Sequence, residues 1–144
     1  MSSKPWSHRL PLWGRYATTC VSAVLCSLIG TFIHRCGAID NIPYGFVVAI
    51  ILLLLSAWCA RARSGWWGLF IHATVFSVFA WILALGFIGS AILVPVGFTI
   101  PMPWCVHYAG YLWLYGILIA HAILLCMPQR WFVVYSVKQV KNLQ

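Results

Sequence analysis

Charge is nearly absent from the middle of this chain. Between Tyr16 and Met127 the only charged side chains are Arg35, Asp40, Arg61 and Arg63, in two short clusters. The runs they separate, about residues 17–33, 42–60, 66–86 and 105–127, are apolar throughout. Each approaches the roughly 20 residues that a helix needs to cross the hydrocarbon core of a bilayer. Backbone polar groups find no partner in lipid, so helix is the expected conformation for every run. With 63% hydrophobic and 7% charged residues in 144, against about 25% charged in soluble domains, no length remains for a soluble domain. The expected fold is an all-α integral membrane protein, with four transmembrane helices in an antiparallel bundle. The domain plan is a basic, aromatic tail (1–16), a membrane domain (17–127) and a second basic tail (128–144).

Lys and Arg in short flanks set orientation. Lys4, Arg9 and Arg15 precede the first run, Arg61 and Arg63 follow the second, and Arg130, Lys138 and Lys141 follow the fourth. Four spans put all of these on one face, while Arg35 and Asp40 cancel on the other. Both termini are therefore expected in the cytoplasm of a plasma-membrane protein. The net charge of +8 is read as attraction to lipid headgroups, about 1 kcal/mol per basic residue near the surface, and not as nucleic-acid binding. The first run has the basic flank of a signal peptide but no small-x-small cleavage site after it, so it reads as a retained anchor.

Small residues recur every four positions at Thr18, Ser22, Cys26 and Gly30, and a similar stripe at spacings of four, three and four runs through Ala73, Ser77, Ala80 and Ala84. That spacing marks close helix packing, so the first and third helices are expected to be central and the second, with its bulky run 50–55, peripheral. Asp40 or Asn41 is placed to cap the second helix before Pro43. Residues 87–104 are apolar but broken by glycine and proline, and would dip into the outer leaflet or cover the outer mouth of the bundle. Residues 130–143 carry Val133, Val137 and Val140 at helical spacing, as an interfacial helix would.

Asp40 is the only acid, which removes carboxylate-coupled transport and most acid–base catalysis; no catalytic constellation is present. Chemistry is left to histidine and cysteine. His34 and Cys36 end the first helix, and Cys105 and His107 begin the fourth. A Cys36–Cys105 disulfide suits that oxidising side, whereas the spacing is not a zinc pattern and no metal is expected. His72 and His121 each lie about 9 Å inside the membrane from the cytoplasmic end, and intramembrane ionisable groups are functional candidates. His107 and His121 share a helix face, each with a possible partner at equal depth in His34 and His72. Stacked bis-histidine pairs would suit haem b.

The segment Ile42-Pro43-Tyr44-Gly45-Phe46, running into an Ala/Leu-rich helix, then Arg61 to Gly68 and a Trp-containing third helix, resembles a family of short actinobacterial multi-span membrane proteins of unknown function. The resemblance covers roughly residues 30–86. It implies a plasma-membrane protein and supplies no catalytic residue.

The expected role is a structural or accessory subunit of a membrane complex, in contact with lipid and with itself or a larger membrane protein. The alternative is a haem- or metal-binding redox subunit using His72, His121, His34 and His107; a small transporter ranks behind both.

Overall fold

The computed structural model of the chain describes residues 5–86, 93–97 and 101–132. They form four helices: α1 (Trp6–Arg9), α2 (Leu12–Ile33), α3 (Tyr44–Ala84) and α4 (Trp104–Cys126), with 3-10 turns at Ala38–Asp40 and Gln129–Phe132. No strand occurs among the described residues. Three helices, α2, α3 and α4, are long and apolar enough to cross a membrane.

Proline starts each helix. Pro5, Pro11, Pro43 and Pro103 stand at the four N-caps, where a fixed φ favours entry and a missing N–H costs nothing. Because Pro11 sets its start, α2 begins five residues before the apolar run. Arg15 then folds α1 back, donating to the carbonyls of His8 (2.7 Å) and Leu10 (3.0 Å). None of the four caps supplies a side-chain hydrogen bond, so the first N–H groups find acceptors elsewhere. Gly45 donates to the Cys36 carbonyl at 3.1 Å. The Cys105 N–H donates to Asn41 Oδ1 at 3.2 Å. Asn41 therefore serves α4 and not the adjacent α3, and Asp40 stays exposed in its turn.

At 41 residues, a straight α3 would run about 62 Å, twice the roughly 30 Å hydrocarbon core. It does not run straight. Ser64 (φ −137°, ψ 16°) and Gly65 (φ 64°, ψ −146°) leave helical geometry, the latter in a region essentially reserved for glycine. Ser56 and His72, about 24 Å apart along a straight helix, are hydrogen bonded at 2.9 Å. Gly68 lies so close to the Ala60 carbonyl that a Cβ would collide with it. Residues 44–63 and 66–84 thus lie against one another.

The main core draws on every long segment: Ala23 from α2, Ala49 and Leu53 from the first part of α3, Phe76 and Ala80 from the second, and Trp113 and Ile117 from α4. Residues 44–63 are therefore not peripheral; they bury Ala49, Leu53 and Ala57 and turn Ile51 and Leu55 outward. On α2 the buried stripe is Thr19, Ala23, Ser27, Gly30 and Thr31. Of the expected stripe only Gly30 is fully buried, while Thr18, Ser22 and Cys26 are half-buried beside it. The same offset separates buried His72 and Phe76 from half-buried Ala73 and Ser77, before Ala80 and Ala84 rejoin the buried face.

Of the apolar segment 87–104, the described part covers α4. A Cβ on Gly110 would meet the Pro95 carbonyl at 2.7 Å, and Val94 joins the core. The expected helix over 130–143 lies, beyond Phe132, outside the described residues.

Candidate functional site

His72 and His121 come together in the core. Both are buried, and His72 Nδ1 lies 3.1 Å from His121 Nε2. His72 Nε2 meets Ser56 Oγ at 2.9 Å, and His121 Nδ1 meets the Ile117 carbonyl at 2.8 Å. Phe76 closes the site, with ring centroids 5.6 Å from His72 and 5.8 Å from His121. The cluster joins three stretches of chain: residues 44–63, residues 66–84 and α4.

With both rings neutral, the chemistry of these partners fixes every proton. A carbonyl only accepts, so His121 Nδ1 carries hydrogen and donates to Ile117. In a neutral ring the other nitrogen is an acceptor, so His121 Nε2 accepts from His72 Nδ1–H. His72 Nε2 is then the acceptor for the Ser56 hydroxyl. The result is one directed run, Ser56 to His72 to His121 to the Ile117 carbonyl, with both rings neutral and all four ring nitrogens engaged.

This geometry does not suit the haem expectation. Two axial metal–nitrogen bonds of about 2 Å each separate the nitrogens by roughly 4 Å, and here a hydrogen bond joins them at 3.1 Å. No lone pair on either ring is left for iron.

The other candidates lie apart from this pair. His34, just past the end of α2, is buried and stacked on Trp113, with centroids 5.6 Å apart and planes 19° from parallel. Its Nδ1 donates to the Thr31 carbonyl at 2.6 Å, and Trp113 Nε1 donates to Thr31 Oγ1 at 3.3 Å. Burial lowers the His34 pKa to about 4, with the Thr31 bond opposing and the Arg35 charge adding to the shift. His107 is half-buried with its ring against Tyr108, so His34 pairs with a tryptophan and not with His107. Cys36 is exposed and Cys105 buried, both as free thiols in this structure. Among the described residues no three His, Cys, Asp or Glu side chains gather where one ion could bind.

Sequence reading passed over three residues of this core. Ser56 looks like any serine in an apolar helix. Trp113 fills the space over Gly30, where a Cβ would meet its ring at 2.6 Å. Arg61, expected in a loop, is buried. A further surface also escaped notice. Trp104, Tyr108, Tyr111 and Tyr115 recur at helical spacing along α4 and are all exposed. They border a groove of about 270 Å³ shared with Phe46, Leu112, Gly116 and Ile119. Tyr115 is 63% exposed and lies about 17 Å along the helix from Trp104, near the middle of α4.

Comparison of the chain with protein-family models, with curated proteins and with solved structures finds no match, and so lends the resemblance over residues 30–86 no support.

Proposed function

We propose that the chain is a four-span plasma-membrane protein with its helices antiparallel and both termini cytoplasmic, acting as a small accessory subunit that docks on a membrane-protein partner through α4. Two spans would come from α3, broken at Ser64 and Gly65. The orientation rests on the eight basic residues that this topology puts on one side. The observation that carries the docking role is Tyr115. Tyrosine favours the headgroup layer, where its hydroxyl is wet, and a buried tyrosine hydroxyl ordinarily finds a hydrogen-bond partner. An exposed tyrosine at mid-membrane depth, in line with three more aromatics, is suited to a protein neighbour and poorly suited to lipid tails. The histidine run supports a non-enzymatic role, because its polar groups are used in joining helices.

A photo-crosslinking residue at Tyr115, activated in native membranes, tests this reading. The expected product is a discrete protein adduct, with none from the same probe at Leu55, an exposed residue of comparable depth on α3. Lipid adducts alone at Tyr115, with the protein running as a lone monomer in mild detergent, would end the accessory-subunit reading.

A further inference from the structure

Arg61 has no exposed surface, although it lies under a thin cover at the edge of the molecule with few protein atoms around it. Its guanidinium carbon lies 4.3 Å from the centroid of the Trp66 ring and 4.2 Å from that of Phe132. Nη2 donates to the Met127 carbonyl at 2.7 Å. Nε and Nη1 have no acceptor, and neither has the buried Ser64 hydroxyl one turn further on. A buried charge is normally paired, because leaving it bare costs far more than leaving a neutral group bare.

No carboxylate among the described residues pairs with Arg61. The chain's one acid, Asp40, precedes α3, and Arg61 lies about 26 Å along that helix from Tyr44. The groups near Arg61 instead add positive potential. Arg63 is two residues away, and the helix restarting at Trp66 presents its N-terminal end at the same break. The guanidinium N–H groups lie in one plane, so an acceptor approaches in that plane. An anion is the acceptor best suited to this cation, and among the described residues none is at hand.

The surroundings say which anion. Met127, whose carbonyl holds Arg61, also lines a shallow apolar groove of about 520 Å³ along the outside of α4, with Ile119, Ile123, Cys126, Pro128 and Trp131. A groove of this kind takes an acyl chain, and an inorganic ion has no use for it. We propose that Arg61 and Ser64 form the headgroup site of an anionic phospholipid, its phosphate taking the free donors and an acyl chain lying in the α4 groove. Arg61 has no exposed surface, so the headgroup reaches it only as the Gln129–Phe132 turn swings aside. The inference rests on the membrane reading above but not on the accessory role.

The test uses the full chain in vesicles of phosphatidylcholine doped with phosphatidylglycerol, followed by native mass spectrometry of the extracted protein. Wild type should retain phosphatidylglycerol in preference to phosphatidylcholine, and Arg61→Gln should lower that retention about tenfold or more, the scale of a lost charge-assisted hydrogen bond. Ser64→Ala should lower it less, and Arg63→Gln, which removes the same charge nearby, should retain it. Equal retention by wild type and Arg61→Gln overturns the proposal, as does equal loss in Arg63→Gln. Should Arg61→Gln fail to fold, unchanged retention in Ser64→Ala overturns it alone. Thermal stabilisation by inorganic phosphate in detergent, without phosphatidylglycerol retention, would refute the lipid assignment in favour of a free anion. A chain that does not partition into the vesicles at all fails the membrane reading instead.

Discussion

A buried imidazole nitrogen left without a partner, as His34 Nε2 is, costs stability, and His121 shows how its two bonded nitrogens bind neighbours together. Its Nδ1 is committed to Ile117, so its Nε2 can only accept. Replacing His121 with leucine strands the His72 Nδ1–H; replacing His72 strands His121 Nε2 and the Ser56 hydroxyl. A stranded buried group costs about 1–3 kcal/mol, although hydrogen bonds between membrane helices average nearer 0.6 kcal/mol. His121→Leu is therefore expected to destabilise by about 0.6–3 kcal/mol in a denaturation titration. The double variant His72→Leu/His121→Leu should cost less than the two single losses summed, because the second change removes the group that the first left bare. Strict additivity would remove the hydrogen bond from the account. Depth counted along each helix was enough to bring the two histidines into view. Nothing similar marked Ser56, since serine in a helix satisfies itself locally, as Ser22 does on the Thr19 carbonyl at 2.9 Å. Arg61 was misplaced for a different reason: a guanidinium counts as the end of an apolar run wherever it stands, yet two aromatic faces can hide it.

At the scale of elements, apolar run length locates the helices, and proline sets where they begin. Which face turns inward was less legible. On α2 two adjacent stripes are both built of small residues, about 100° apart around the axis. Thr18 bonds its own helix at the Gly14 carbonyl (2.9 Å) and needs no neighbour, whereas Ser27 reaches across to the Phe76 carbonyl at 3.2 Å. Spacing alone cannot separate a hydroxyl that bonds locally from one that bonds across. Capping shows the same limit: Asn41 stands next to α3 in sequence but serves α4. The break in α3 carries its own prediction. Gly65, at φ 64° and ψ −146°, occupies backbone space that costs other residues about 1–3 kcal/mol. Gly65→Ala should destabilise by that amount. Gly116→Ala is the control. Its Cβ would meet the flexible Ile50 Cδ1 end at 3.2 Å and the Phe46 ring at 3.6 Å, an ordinary contact, and alanine gains about 1 kcal/mol in helix propensity over glycine. An equal loss at both positions would show that Gly65 is not special.

For the whole molecule the pattern of charge decides the proposed orientation, and cysteines make it measurable. Cys36 follows α2, whereas Cys59 and Cys126 lie near the other ends of their segments; all three are exposed. A membrane-impermeant thiol reagent added outside intact cells should label Cys36 and miss Cys59 and Cys126. Cys105, although at the same end as Cys36, is buried and should react slowly. Labelling of Cys59 with Cys36 protected would invert the topology. Charge counting could reach this far because orientation depends on totals, while burial of one thiol depends on packing that no total contains. The histidine run has a consequence for the membrane as a whole. A wire that conducts protons must pass one out at its far end and then reset, and this one stops at a carbonyl oxygen, which has no hydrogen to hand on. An extra proton entering beside Ser56 can only return the way it came. In the membrane-spanning arrangement proposed above, the run joins two parts of α3 to α4 and offers a proton no way through.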